Sequence, residues 1–366
     1  MTQRRLIVMT PAIDGADGIS ALGRQVVASL TRGAVWAGVD VWALDGGQPT
    51  EFPASATFWN ARGSRARLVT RAMAAAARGC AQLDVVVLHL HLAPLAMVMG
   101  SRGARVVDFL VGIEAWTSIR PRERRALQQA DRIVAISDFT VRGFRVANPG
   151  LASLPVITCS PGIPAGPLAG TADEGFALIV GRLSSKERYK GHDALIEVWP
   201  TVLRAVPATR LVIVGDGDDR PRLESAVDAA GLRQAVTFAG RVDDDALADL
   251  YARAALFVMP SSREGFGLVY LEAMRAGKPC IAAHGSADEI IRHGVDGLVV
   301  DAASRDELST ALVRLLSNPA ERARMGQSAS VRMRQHFSDE QFTARLLRAI
   351  DVTNVAAARR VPEMIS

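Results

Sequence analysis

The chain has 366 residues, 49% of them apolar, 22% charged and only 5% aromatic, with a formal net charge of +5. That length suits a globular protein of two domains, with cores built from Ala, Val, Leu and Ile. Its three cysteines, Cys80, Cys159 and Cys280, lie far apart with no Cys-x-x-Cys pair, which excludes a disulfide framework and a zinc site.

Residues 6–9 form a short apolar run that reads as a buried strand. A basic flank precedes it, but the run is too short for the core of a signal peptide. A Gly/Asp loop at 14–18 leads into a helical pattern from 20 to 30. Residues 39–44, 85–90, 105–110, 132–136 and 156–159 read as further strands bounded by turn residues. The longest apolar stretch, 85–100, is interrupted by His89, His91 and Pro94 and is too short to span a bilayer. Pro and Gly crowd 160–170, which reads as a linker. A second series follows, with strands at 177–180, 210–214, 236–238, 256–259, 279–282 and 297–300. Its helices lie at 219–230, 244–254, 269–276 and 305–317. This alternation predicts an α/β fold of two doubly wound, Rossmann-like domains with a cleft between them. The expected domains are 1–168 and 169–344, with a C-terminal helix over 345–366 returning to the first.

Ligands of open α/β sheets bind beyond the carboxyl ends of the strands, so chemistry is expected in those loops. The loop after 177–180 holds Gly181, Arg182, Lys186, Arg188 and Lys190. Arg182 offers a planar fork and Lys190 a point charge, a pair suited to a diphosphate. Lys190 is also one of only three lysines among 43 basic residues. A solvated basic loop is the plain alternative. After 256–259 a glycine turn opens a helix, carrying Glu264, Gly265, Phe266, Gly267, Leu268 and Glu272. The glycines admit a ligand close to the backbone, and the helix start favours phosphate. Glu264 is placed to reach a sugar hydroxyl, and Glu272, two turns into the helix, to accept from a ribose diol. Asp216-Gly217-Asp218 reads as a tight turn plus the N-cap of the next helix rather than a metal site. Asp243-Asp244-Asp245 reads as a capped helix start.

In the first half, Gly18 lies in a Gly-rich loop that faces the cleft but lacks G-x-G-x-x-G. His89 and His91 end a strand on one face, with His91 nearer the carboxyl end. Glu114 and Trp116 follow the strand ending near 111. They read as an acceptor site for a sugar or lipid phosphate, or as packing. Residues 1–168 hold 18 Arg against 11 acidic residues, a net of +7, whereas 169–366 carry a net of −2. The first half is therefore expected to meet something anionic. No aromatic platform accompanies its arginines, which speaks against nucleic acid. A helix over 65–78, with Leu68, Val69 and Met73 among arginines, suits an anionic membrane surface or a solvated face.

The segments VGRLSSKERYKGHD (180–193), IVGDGDDRPRLE (213–224), VMPSSREGFGLVYLEAMRAGKPCIA (258–282) and IIRHGVDGLVV (290–300) resemble those of family 4 retaining glycosyltransferases of the GT-B fold. The first half resembles them more loosely, through DGISALG (17–23), VVLHLH (86–91), GIEAW (112–116) and ADRIVAISDFT (130–140). The resemblance implies that Arg182 and Lys190 hold the donor diphosphate, with Gly18 and Gly181 beside the donor. It implies that Glu264 contacts the transferred sugar and that the amides of 265–268 bind sugar and phosphate. Glu272 would bind the ribose, and His91 would line the reaction site. Glu114 and Trp116 would lie on the acceptor side. Where such enzymes often read His-Gly, this chain has Val111-Gly112, which removes an acceptor-side hydrogen bond.

The implied reaction moves a hexose from a nucleotide-diphosphate sugar to a lipid-linked or polysaccharide acceptor of cell-surface glycan synthesis. It needs no metal and no cofactor, since two cations and a helix N-terminus can stabilise the departing diphosphate. Residues 187–193 resemble those of mannosyltransferases of exopolysaccharide assembly, which implies GDP-mannose as the donor. UDP-glucose, UDP-N-acetylhexosamine, a nucleotide-sugar epimerase and a non-catalytic nucleotide-binding module stay open. The expected place is the cytoplasm, peripheral on the inner face of the membrane.

Overall fold

The computed structural model describes residues 3–15, 17–32, 35–166 and 173–351. The chain divides into two compact units, Met1–Gly162 with Asp339–Ser366, and Ile163–Ser338. The first unit runs β1 (Arg5–Thr10), α1 (Gly18–Arg32), β2 (Val39–Ala43), β3 (Ala56–Asn60), α2 (Arg65–Ala77) and β4 (Leu83–Val87). It continues with α3 (Ala93–Gly100), β5 (Arg105–Leu110), α4 (Pro121–Gln129), β6 (Arg132–Ala135), α5 (Asp138–Ala147) and β7 (Val156–Thr158). The second begins β8 (Phe176–Val180), α6 (His192–Ala205), β9 (Arg210–Val214), α7 (Arg220–Ala229), β10 (Val236–Gly240) and α8 (Asp244–Arg253). It ends β11 (Leu256–Met259), α9 (Leu268–Arg275), β12 (Cys280–Ala283), α10 (Ala287–Ile290), β13 (Gly297–Val300), α11 (Arg305–Ser317) and α12 (Pro319–His336). Helix α13 (Asp339–Ile350) returns to the first unit.

Both sheets are parallel throughout. Their orders are β3-β2-β1-β4-β5-β6-β7 and β10-β9-β8-β11-β12-β13. The strand order reverses between β1 and β4 in one sheet and between β8 and β11 in the other. Crossover helices cover such sheets on both faces, so the strands must be apolar at successive positions. Val85, Val86 and Val87 of β4 are all buried, as are Leu256, Phe257 and Val258 of β11. That is why the buried strands were legible as unbroken apolar runs.

The borders fall earlier than the expected 168/169 and 344/345. The Ile163 amide donates to the Phe337 carbonyl at 2.9 Å, which ties both crossing segments into the second unit. Part of the expected linker and residues 352–366 of the expected C-terminal helix lie outside the described residues. Helix α13 starts at Asp339 and docks through Phe342 and Leu346, with Thr343 donating to the Ser29 hydroxyl of α1 at 2.9 Å.

The stretch 85–100 is not a strand ending at residue 90. Strand β4 stops at Val87, a 3₁₀ turn spans Leu90–Leu92, and α3 begins with Pro94 in its first turn. Proline is tolerated there because that amide has no intrahelical acceptor. Strand β3 was not expected. Its sequence has no long apolar run, and it forms only by adding to the edge at β2, with Trp42 opposite Trp59. Among the described residues, no helix is long and apolar enough to cross a membrane.

Two buried carboxylates in the first sheet behave in opposite ways. Asp84 accepts from Arg4 Nε (2.6 Å), Arg105 Nε (2.7 Å) and Trp36 Nε1 (2.7 Å). Burial pushes its carboxyl up, but these donors, Arg105 foremost, hold it below the usual range. Asp108, in β5, is fully buried and neither of its oxygens has a hydrogen-bond partner. Burial alone pushes its carboxyl up to about 7. The folded chain therefore keeps this proton up to about pH 7, whereas an unfolded chain releases it near pH 4. Stability from this site is present below pH 4 and is lost as pH rises from 4 to 7. Asp108→Asn is expected to match the parent melting temperature near pH 4 and to exceed it by several degrees at pH 8. Equal pH profiles of melting for the two proteins would refute this assignment.

Candidate functional site

In the second unit, the loops at the carboxyl ends of neighbouring strands β8 and β11 meet. The β8 loop is braced from below by the turn after β9. Gly181 and Leu183 donate their amides to Val214 and Asp216 carbonyls at 3.0 and 3.1 Å. A Cβ on Gly215 would lie 1.9 Å from the Gly181 carbonyl, and one on Gly217 2.1 Å from that of Leu183. Both positions therefore require glycine. Asp218 accepts from the Ser185 amide at 3.1 Å and from its hydroxyl. The Asp-Gly-Asp segment is thus a brace for the β8 loop. The N-cap of α7 is Asp219, one residue beyond the Asp-Gly-Asp segment expected to supply it, and its side chain makes no capping bond. It is drawn instead to two guanidiniums, Arg222 at 2.6 Å and Arg188 at 2.9 Å. Their hydrogen bonds, Arg222 first, outweigh burial and hold its carboxyl at about 2.

On this brace, Arg182 pairs with Glu187 at 2.8 Å. Lys190 Nζ lies 3.8 Å from Glu187 Oε2 and 3.8 Å from Glu264 Oε2. The structure thus brings Arg182, Lys190 and Glu264 together around a residue to which the sequence reading gave no role of its own, Glu187. Its one signal was an acid set among the basic residues of 182–190. Burial raises the Glu264 carboxyl, Lys190 pulls it back and Glu187 raises it again, leaving it above the ordinary value. His192, the first residue of α6, is buried and its Nε2 has no hydrogen-bond partner. Burial, then Lys190, pushes its imidazole down to about 4, so it is neutral at pH 7 and adds no charge.

The β11 loop enters α9 through Gly267, whose φ is +99°. A Cβ there would lie 2.5 Å from the Tyr270 ring, and the Tyr270 hydroxyl donates to the Met259 carbonyl at 2.6 Å. This fixes the helix start against the end of β11. Phe266 points inward, edge to face with Phe337 at 6.0 Å, so only its backbone is left for a ligand. Glu272 lies one turn into α9 rather than two, because the helix starts at Leu268. The Tyr251 hydroxyl of α8 donates to its Oε2 at 2.9 Å. Burial raises the Glu272 carboxyl, and that bond partly offsets the rise.

In the first unit, the expected residues stand after β1, β4 and β5. Gly18 is the first residue of α1, but Asp17 already accepts from the amides of Ile19 (3.0 Å) and Ser20 (3.1 Å). That helix start holds an internal carboxylate, which would repel a phosphate. His89 and His91 lie on the turn after β4 rather than on the strand, with rings 4.8 Å apart. His91 Nδ1 is 2.7 Å from Oε1 of buried Glu123, whose Oε2 accepts from the Arg120 amide at 3.0 Å. An ionised carboxylate only accepts, so Nδ1 carries the hydrogen towards Glu123, and Nε2 is the ring nitrogen not committed to that pair. Burial lowers the His89 imidazole.

Glu114 folds back on its own turn, accepting from the amides of Val111 (2.9 Å) and Gly112 (3.1 Å). Trp116 packs edge to face on Phe139 at 5.2 Å and against Gly143, so its ring is a packing element. The arginines of α2 do have aromatic partners, against expectation. Arg71 stacks over Trp42 (4.7 Å) and Trp59 (4.5 Å), which covers those rings rather than offering them to bases.

Residues 169–332 match the family model described as "Glycosyl transferases group 1". A GDP-mannose-dependent monoacylated alpha-(1-6)-phosphatidylinositol monomannoside mannosyltransferase of Corynebacterium glutamicum is 32% identical over 282 residues, 69% of this chain and 73% of that protein. The chain belongs to the group 1 glycosyltransferases. A GDP-mannose-dependent alpha-(1-6)-phosphatidylinositol monomannoside mannosyltransferase of Mycolicibacterium smegmatis is 33% identical, over 64% of this chain and 66% of that one. Among solved structures, sucrose-phosphate synthase from Thermosynechococcus elongatus matches with a TM-score of 0.79 at 20% identity, covering 97% of this chain and 100% of that one. Anabaena HepE, solved with UDP and glucose, matches with a TM-score of 0.76 at 19% identity, covering 95% and 99%. The fold of this glycosyltransferase is therefore GT-B, with two Rossmann-like units.

Gly267→Ala tests the β11–α9 turn of this glycosyltransferase. A side chain at that φ, pressed on the Tyr270 ring, is expected to destabilise the protein by about 1–3 kcal/mol. An unchanged midpoint in calorimetry or urea unfolding would show that the turn does not need glycine.

Proposed function

We propose that this enzyme transfers mannose from GDP-mannose, with retention of anomeric configuration, to a lipid-linked or polysaccharide acceptor of cell-surface glycan synthesis. The observation that carries this reading is the grouping of Arg182, Lys190 and Glu264 beside the N-terminus of α9. The mannosyl donor is supported by the GDP-mannose-dependent relatives at 32–33% identity.

Breaking the bond between sugar and diphosphate places negative charge on the departing nucleotide. Arg182 and Lys190, with the partial positive charge of the α9 start, would stabilise it without needing a metal or cofactor. Gly181 and the amides of 265–268 would lie along the donor. Glu264, held near Lys190, would accept from a sugar hydroxyl. Its carboxylate is a positioning group, and the acceptor attacks from the face the diphosphate leaves. Glu272, oriented by Tyr251, would accept from the ribose diol. His91, with Nδ1 committed to Glu123, would offer Nε2 to the sugar or the acceptor. Glu114, Trp116 and Gly18 would act there through the turns they shape.

The experiment is turnover of GDP-mannose, UDP-glucose and UDP-N-acetylglucosamine with a lipid-extract acceptor, read by product anomer and linkage. Lys190→Ala and Glu264→Ala are each expected to reduce kcat by about 10²-fold or more, the scale for losing one charge-stabilising group. Near-normal turnover in both variants would refute the site. Transfer from a UDP-sugar alone would refute the donor, and product without an acceptor would point to an epimerase.

The enzyme is further proposed to work peripherally on the cytoplasmic face of a membrane, through α2. Leu68 is buried, so the expected apolar stripe is narrower, but Val69 (41%) and Met73 (54%) are exposed beside Arg65, Arg67 and Arg78. The protein is expected to sediment with anionic but not neutral liposomes, less so in high salt, and more weakly as Arg65→Ala/Arg67→Ala. Binding indifferent to lipid charge would exclude this contact.

A further inference from the structure

We propose that Glu187 is a built-in competitor for the donor diphosphate, its carboxylate occupying Arg182 and Lys190 and leaving them when the nucleotide binds. This inference rests on the reading of that cation pair as the diphosphate site.

The geometry shows a carboxylate held by charge and by little else. Oε1 makes a close pair with Arg182 at 2.8 Å, whereas Oε2 stands 3.8 Å from Lys190. Oε2 is buried and has no hydrogen-bond partner. A buried carboxylate oxygen without a donor is costly, so this placement is held mainly by the two cations. The loop does not depend on it. Glu187 precedes the 3₁₀ turn Arg188–Lys190 and its side chain makes no capping bond there. The turn is held by backbone, with the Glu187 amide on the Ser184 carbonyl (2.8 Å) and the Lys190 amide on the Glu187 carbonyl (3.0 Å).

Lys190 also faces Glu264 at 3.8 Å, so two carboxylates share one ammonium. Like charges on one cation repel, and Glu264 is also held by the Gly265 amide, whereas Glu187 Oε2 has no hydrogen-bond donor and is the one more readily displaced. A nucleoside diphosphate brings more negative charge than one carboxylate, and its oxygens match both the fork of Arg182 and the point charge of Lys190. It therefore wins the exchange. After transfer, Glu187 can return to the same cations and speed release of the nucleotide product. Removing it should tighten binding, whereas a residue that merely held Arg182 and Lys190 in place would loosen binding when removed.

The test measures calorimetric binding of GDP, UDP and inorganic pyrophosphate to the full chain, as parent, Glu187→Gln, Glu187→Asp and Lys190→Ala, with melting curves for each. Glu187→Gln is expected to bind the diphosphates about tenfold more tightly, a change of about 1.4 kcal/mol. KM for the nucleotide sugar should fall in parallel and inhibition by the released nucleotide should strengthen. Glu187→Asp keeps the charge but shortens the reach to Arg182, so it should shift affinity less, in the same direction. It carries the test if Glu187→Gln fails to fold. Unchanged or weaker binding in the folded Glu187 variants, while Lys190→Ala weakens binding, overturns this inference alone. Parent-like binding in Lys190→Ala, or no binding by the parent, overturns the diphosphate reading and this inference with it.

Discussion

Lys190 is suspended between two carboxylates that arrive from different strands, and this sharing of one cation organises the second unit's loops. Glu187 comes with the β8 loop and Glu264 with the β11 loop, each 3.8 Å from Nζ. Neither loop could be placed this way unless β8 and β11 were neighbours, and they are hydrogen-bonded partners at the point where strand order reverses. The surrounding structure serves to hold the backbone of both loops in place. Gly215 and Gly217 let the β9 turn press against the β8 loop, and Tyr270 fastens the start of α9 to the end of β11. A site of fixed charges loses little to reorganisation when a charged ligand arrives, which is the physical basis of electrostatic catalysis.

The two units share a sheet topology but furnish the carboxyl ends of their strands differently. In the first unit, polar backbone there is satisfied by the chain's own carboxylates. Asp17 fills the start of α1, and Glu114 fills the turn after β5. Glu123 does the same at α4 and also orients His91. In the second unit the comparable positions hold cations, with Glu187 as their mobile counter-charge. This gives the charge division along the sequence a sharper meaning. The second unit is slightly acidic overall, yet Arg182 and Lys190 are concentrated at its switch point.

Buried strands and the glycine-bearing loops were legible in the sequence. Parallel strands covered on both faces must be apolar without interruption, so Val85 to Val87 and the residues of β11 announce themselves. The glycine turn before α9 and the basic loop after β8 were legible too, because Gly267 and Lys190 are constrained by local geometry or stand out by type. Other features were not. Strand β3 is weakly apolar and exists through pairing with β2. Helix α3 was hidden in an apolar stretch whose period does not separate strand from helix. Trp116 read either as part of an acceptor site or as packing, and only the structure shows it packed on Phe139 and Gly143; the pairing of Asp219 with Arg222 and Arg188 had no sequence signal.

The sequence by itself determined the α/β class, the two repeated strand–helix series and the family, because these rest on local periodicity and on motifs of fixed spacing. Only the tertiary structure decided which charges meet. Arg182 lies close in sequence to Glu187, but Glu264 is far from Lys190 along the chain, and so is Tyr251 from Glu272. Coulomb and hydrogen-bond energies depend on separations of a few ångströms in space, and sequence spacing does not fix those once the chain has crossed the sheet.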